Sequence, residues 1–234
     1  MFRGGRGAES QNVNLRALEK IINYTQTWYS PGRGRQFAVA MNVPAHYCNG
    51  SSELDIGFLN RDNPYEIRTE LRDNHIYEGV DLIAATQRED NTGNFYHSEY
   101  LLLNHPHPEQ SRMKELLNVD ADGCVIFYTY NSPCKHTCLN EDAERNIHNA
   151  VRMLGEHQGP KAFVYNQIFQ NDDQDLEEHL ARINAFVPVY RCQPTRTSNF
   201  NLYQYPNPYM NYYLNAYLHP DRAMNLNPYY NHHP

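Results

Sequence analysis

Apolar and polar residues recur along this chain in two periods, and the order of those periods predicts an α/β protein. Val13, Leu15, Leu18, Ile21, Ile22 and Thr25/Trp28 fall at helical spacing over Asn12–Tyr29, with Trp28 expected in the core. Phe37–Val43, Val80–Thr86, Val125–Tyr130, Lys161–Phe169 and Val187–Cys192 are short apolar, β-branched and aromatic runs that read as five strands. Glu141–His157 places Ile147, Val151 and Leu154 on one helical face. Leu176–Phe186 follows Asn171-Asp172-Asp173, a helix-cap signal. Strand, helix and strand over 161–192 imply a parallel crossover. The expected architecture is three layers: a mixed five-stranded central sheet, helices on both faces, the last strands parallel.

Other stretches are less regular. Pro44–Asn63 is rich in Asn, Gly and Ser and reads as an edge hairpin. Tyr65–Tyr77 reads only as an insertion packed on the rim. Arg88–Tyr96 is a polar loop that delivers His97. A short helix over His97–Leu103 is interrupted by His105-Pro106-His107-Pro108, whose X-Pro setting reads as an exposed loop, and Ser111–Asn118 resumes it.

Three segments follow from composition. Residues 1–11 form a Gly/Arg-rich tail expected to be flexible. Residues 12–198 form the domain, ample for a core. Residues 199–234 form an extension with eight Tyr and eight Asn, expected to dock on the domain or stay disordered. The net charge of −7 argues against a broad phosphate-binding surface. It is unevenly spread, however. Residues 1–50 hold six Lys/Arg against two acids, a net of +4, which leaves −11 for the remainder. Arg33 and Arg35 of that basic part sit in the loop Ser30–Arg35. No apolar run is long enough to span a membrane. The N-terminus has no apolar leader, which leans to a cytoplasmic or nuclear site, though a mature secreted form would look the same. Of five cysteines, Cys48, Cys124 and Cys192 do not suggest a disulfide framework.

The other two carry the chemistry. The strand Val125–Tyr130 runs into Ser132-Pro133, and Pro133 stops the ladder because it has no N–H to donate. Cys134 and Cys138 follow, and the pattern after them predicts the first turn of a helix, where the positive helix end favours thiolate. A spacing of four puts both on one face. With His97 they make three zinc ligands and leave a fourth position for water, the open arrangement of a catalytic site. Glu99, two residues past His97, is placed to take a proton from that water and pass it on.

His-x-Glu, followed by Pro-Cys and a second Cys, resembles the signature of zinc-dependent nucleobase deaminases. Ser132-Pro133-Cys134 after a strand, with the second Cys loosely spaced, looks most like the AID/APOBEC branch of cytosine deaminases. The resemblance in element order covers roughly 12–192, and it separates this chain from free-nucleoside deaminases, whose last strands form a hairpin. It implies a cytidine-deaminase-like fold, a Zn2+ cofactor on His97, Cys134 and Cys138, and Glu99 as proton carrier. The implied reaction converts cytosine to uracil in single-stranded polynucleotide, DNA before RNA, and a role in immunity goes with that branch. The resemblance also implies that the Ser132 carbonyl receives the exocyclic amine, that Asn42 contacts substrate, that Phe169 stacks on a base, and that the loop holding Arg33 and Arg35 lies at the mouth of the site. Relatives commonly carry Trp before Ser-Pro-Cys. Asn131 stands there in this chain, so Tyr130 or Tyr96 must supply the pocket wall. A free cytidine or other small-molecule deaminase, and a zinc-stabilised immune or binding protein without turnover, are the competing readings.

Overall fold

The computed structural model describes residues 13–51, 54, 58–59, 61–169, 172, 175–194 and 200–204. Helix α1 (Leu15–Tyr29) starts at Asn14, whose side chain accepts from the N–H groups of Arg16 and Ala17, the usual remedy for unpaired donors at a helix start. Strand β1 (Phe37–Val43) follows, then α2 (Pro64–Arg72), β2 (Ile76–Glu78) and β3 (Leu82–Thr86). A two-stranded hairpin, β4 (Arg88–Glu89) and β5 (Phe95–Tyr96), leads into α3 (Ser98–Leu103) and α4 (Arg112–Leu117). The remainder is β6 (Cys124–Asn131), α5 (His148–Glu156), β7 (Lys161–Gln167), α6 (Leu176–Asn184), β8 (Val189–Pro194) and β9 (Phe200–Gln204).

The sheet order is β2-β3-β1-β6-β7-β8-β9. β1 is antiparallel to both β3 and β6, whereas β6, β7 and β8 run parallel. The five expected strands form the middle of a mixed sheet, and β2 and β9 extend its edges. β9 lies inside the stretch read as the C-terminal extension. The rest of that stretch, and the tail at 1–11, fall outside the described residues.

Alternation along the strands sorts side chains into two cores. Phe37, Val39, Met41, Ile126, Tyr128 and Val164 pack with Leu18, Ile21, Ile22, Ile67 and Leu71 of α1 and α2. Ala38, Ala40, Ala85, Val125, Phe127 and Phe163 face Leu102, Met113, Leu116, Val151, Leu154 and Leu180 of α3 to α6. The alanines on this second face let those helices approach the sheet closely. Three layers result, as the periodicity predicts.

Several expectations fail locally. Trp28 is 48% exposed, since Leu18, Ile21, Ile22 and Tyr29 already fill that face of α1. The stretch read as an edge hairpin after Pro44 holds a short 3-10 turn at Ala45–Tyr47. The unplaced segment at 65–77 supplies α2, started by Asn63 and Pro64, and β2. The polar loop before His97 is the β4–β5 hairpin. The helix expected from Glu141 begins only at His148, because turns occupy the preceding residues and Asn146 accepts the His148 N–H through its side chain. Asp172 does not cap α6. It is buried and accepts the N–H of Lys135, 37 residues upstream.

Cysteine pairing is also corrected. Cys48 and Cys124 form a disulfide with Cα atoms 6.1 Å apart, while Cys192 is free and buried. Strand register explains the bond. Val43 at the end of β1 lies opposite Cys124 at the start of β6, and the 3-10 turn returns Cys48 to that same sheet end. The bond closes a loop of 76 residues, for which chain-entropy reasoning gives about 4–5 kcal/mol of stabilisation. Replacing both cysteines with Ala is therefore expected to lower the melting temperature by about 10–15 °C in a domain of this size. Thermal unfolding followed by circular dichroism checks this, and an unchanged melting temperature contradicts it.

Candidate active site

The site lies at the sheet end where β6 and β7 finish and β1 begins. β6 ends at Asn131, and the Ser132 N–H donates to the Gln167 carbonyl at 2.7 Å, continuing the ladder toward β7. The Ser132 hydroxyl accepts the Phe169 N–H at 2.9 Å, so the loops after the two strands are locked together. Cys134 to Cys138 form a single turn closed by the Leu139 N–H on the Cys134 carbonyl at 3.0 Å. This turn is not the start of a helix, so the expected help from a helix end does not apply. Asp172 holds the turn from outside through Lys135.

His97 occupies the cap position of α3 and brings its Nδ1 to 3.3 Å from Cys138 Sγ and 3.5 Å from Cys134 Sγ. All three ligand atoms lie within 4.8 Å of one another. Both thiols are buried. Tetrahedral zinc, with Zn–N of about 2.0 Å and Zn–S of about 2.3 Å, needs N···S separations of about 3.5 Å. The donor set and its spacing therefore fit zinc. The electrostatics agree. Hydrogen bonding from Cys138 first, and then from His97, holds the Cys134 thiol down to about 3 against the cost of burial. The proton shared with Cys134, and then burial, push Cys138 well above its ordinary range. His97 is raised chiefly by its bond to Cys134.

Glu99, on the first turn of α3, is 2% exposed. Its Oε1 accepts from Thr129 Oγ1 at 2.8 Å and Gln36 Nε2 at 3.1 Å, and its Oε2 accepts from Ser98 Oγ at 3.1 Å. Burial raises its pKa, while His97, Thr129 and Ser98 oppose the rise. A carboxyl shifted upward in this way is better matched to proton transfer near neutral pH.

Gln36, Thr129 and Ser98 were not expected here. Gln36, immediately before β1, also donates to Ser98 and Thr129 and accepts the Asn131 N–H, so it ties β1, β6 and α3 together. Thr129 had a signal in the sequence. It continues the inward phase of Val125 and Phe127 as a polar residue on an apolar face. Nothing in the local pattern marks Gln36.

A cleft of about 430 Å³ opens beside the site, lined by Arg35, Gln36, Asn74, Thr86, Asn131, Gln167 and Phe169 among others. The metal-ligand cluster does not line it. Gln36 reaches both the cleft and Glu99 and so stands between them. Phe169 is 40% exposed on the rim, where a ring can meet a ligand. Arg35 lines the cleft and donates to Asn74 Oδ1 at 3.0 Å, and Arg33 is exposed on the same loop.

Three expected contacts are displaced. Asn42 lies opposite Val125, at the far end of β1 from the site, and its amide donates to the carbonyls of Leu116 and Asp120. Its role is to hold the loop after α4. Tyr130 points to the other sheet face, by alternation from Thr129, and stacks on Phe37 with centroids 6.2 Å apart. Tyr96 bonds Asp90 through its hydroxyl, and its ring meets Tyr100, His105 and the Arg145 guanidinium. Neither tyrosine lines the cleft, and amide side chains occupy the place expected for an aromatic wall.

No curated protein matches the chain. A family model described as Secreted Novel AID/APOBEC-like Deaminase 1 matches residues 15–202, the span that carries α1, strands β1 to β8, the His97–Cys134–Cys138 cluster and Glu99. By that match the chain belongs to this AID/APOBEC-like deaminase family.

Proposed function

We propose that the chain is a zinc-dependent hydrolytic deaminase that converts cytosine to uracil in single-stranded polynucleotide, outside the reducing compartments of the cell. The observation that carries this reading is the approach of His97, Cys134 and Cys138 to metal-binding distance, with the buried carboxylate of Glu99 beside them. His97, Cys134 and Cys138 would hold the zinc, which when bound would supply a water acidic enough to react at neutral pH. Glu99 would take one proton of the attacking water on a carboxylate oxygen and deliver it to the ring nitrogen, then carry the second proton, from the hydroxyl added at C4, to the amine that departs as ammonia. Thr129, Ser98 and Gln36 hold the carboxylate in one orientation, so no reorganisation is needed as the proton moves. The Ser132 carbonyl is our candidate for receiving the exocyclic amine, and Phe169 for stacking on the base.

Arginines favour a polynucleotide over a free nucleoside. Arg68 and Arg72 of α2 donate to the carbonyls of Ser30 and Pro31, and Arg35 donates to the Arg72 carbonyl. They gather with Arg33 around one loop beside the cleft. Among the described residues none of the four is paired with a carboxylate. A local basic rim on an acidic protein suits the phosphates of a strand that enters the cleft. The Cys48–Cys124 bond points to an oxidising compartment, since disulfides persist in such surroundings. The word "Secreted" in the family's description agrees with it, and this replaces the cytoplasmic or nuclear leaning.

The test is deamination of single-stranded DNA, RNA and free cytidine in parallel, with oligonucleotide affinity measured over a salt series. Arg33→Ala with Arg35→Ala is expected to flatten the log–log salt slope by roughly 1 to 1.5, at about 0.7 per phosphate contact. An unchanged slope, with turnover of cytidine alone, overturns the polynucleotide reading.

A further inference from the structure

Two Asn-x-Ser/Thr triplets occur in the chain, Asn23-Tyr24-Thr25 and Asn49-Gly50-Ser51, and the fold treats them differently. Asn49 directly follows the disulfide cysteine Cys48. Asn49, Gly50 and Ser51 are all exposed. The Asn49 Oδ1 accepts the Ser51 N–H at 2.9 Å, an Asx turn. Gly50 sits at φ +79°, and a Cβ there would come within 3.0 Å of the Asn14 side chain, so this turn needs glycine. Oδ1 is thus engaged, while Nδ2 of this exposed residue has no hydrogen-bond partner among the described residues. The Ser51 hydroxyl makes only a long 3.4 Å contact with the His46 carbonyl. In the other triplet Asn23 is exposed on α1, but Thr25 is fully buried and its hydroxyl donates to the Ile21 carbonyl at 2.9 Å.

We propose that Asn49 is the acceptor of an N-linked oligosaccharide and that Asn23 is not. The donor is a lipid-pyrophosphate-linked oligosaccharide. Nδ2 of Asn49 forms a bond to C1 of the first sugar, the C1–O bond to pyrophosphate breaks, the lipid pyrophosphate leaves with the electron pair, and the amide loses one proton. Such a triplet on an exposed loop is the acceptor pattern of proteins made in the secretory pathway, so the proposal rests on the oxidising-compartment reading. The position also suits catalysis. β1 carries the chain from Gln36 at the site to the opposite sheet end, about 20 Å away at strand rise. A bulky, solvated glycan at Asn49 therefore leaves the cleft open and covers the loop that the disulfide anchors.

The full chain, expressed behind a cleavable secretion leader in cultured animal cells, tests this. Treatment with peptide-N-glycosidase is expected to lower its mass by one glycan and to leave aspartate at position 49. Asn49→Gln and Ser51→Ala are each expected to lose that shift, whereas Ser51→Thr and Asn23→Gln keep it. The two loss variants change the triplet in different ways, so misfolding in one does not remove the test. An unshifted wild-type chain overturns the proposal, as does a shift that survives Asn49→Gln and disappears in Asn23→Gln. Free-thiol counting on the same sample separates the two readings. An oxidised Cys48–Cys124 pair beside an unmodified Asn49 refutes the acceptor site and leaves the compartment standing.

Discussion

Glu99→Gln is expected to leave the fold and the zinc content unchanged while lowering deamination by about 10²- to 10⁴-fold, the share of a rate that positioned proton transfer supplies. The substitution is close to isosteric, and the surroundings accept it. Thr129 and Ser98 are hydroxyls that rotate to donate or accept, so the new amide oxygen and nitrogen both find partners. Gln36 Nε2 can keep donating to the amide oxygen. Fully satisfied hydrogen bonds mean little stability is lost at a buried position. What disappears is the capacity to hold a proton between the attacking water and the leaving amine. Metal analysis, a melting curve and a single-turnover cytosine-to-uracil assay on the same preparation check it. Turnover within tenfold of wild type assigns the proton to another group.

Most of the central sheet was legible because its signal is local. Five apolar runs became five strands at nearly the expected bounds, and the parallel order of β6, β7 and β8 followed from the helices between them. The site was legible for a different reason. Cys134 and Cys138 are two of only five cysteines, they stand with His97 and Glu99 at a spacing that only a fold can bring together, and their chemistry restricts what they do. What escaped depends on register between distant segments. Asn42 was placed at the site by resemblance, yet β1 runs away from it, so Gln36 at the strand's other end takes the position beside Glu99. The same antiparallel register brings Cys48 to Cys124, a pairing that an odd cysteine count conceals. Tyr130 failed by a single step of alternation, since moving one residue along a strand changes the face. α2 escaped because its polar surface hides a narrow apolar stripe, only Ile67 and Leu71 being buried. With it went Arg68 and Arg72, which double the arginines around the loop at the cleft.

Cys134→Ser is expected to reduce zinc from one ion per chain to a small fraction, to abolish deamination, and to lower stability without unfolding the domain. Hydrogen bonding from Cys138, and then from His97, lowers the Cys134 pKa against the cost of burial, and thiolate is the form that binds metal. A serine hydroxyl is a harder donor that does not ionise near neutral pH, so zinc is left with His97 and Cys138, too few ligands for a tetrahedral site. Metal binding free energy is folding free energy wherever the site exists only in the folded state, so the melting temperature falls. The loss is expected to stop short of unfolding because two apolar cores, one on either side of the sheet, are built mostly from side chains other than the three ligands. Here this chain differs from small zinc domains, which have no such core. The partner left behind sets the local cost. Cys138 is fully buried, and without Cys134 its thiol stays neutral and packs as a small apolar group, so no unpaired charge is stranded. Metal analysis and thermal unfolding, with wild type and Glu99→Gln as references, check the prediction. A full zinc complement in Cys134→Ser removes this cysteine from the ligand set.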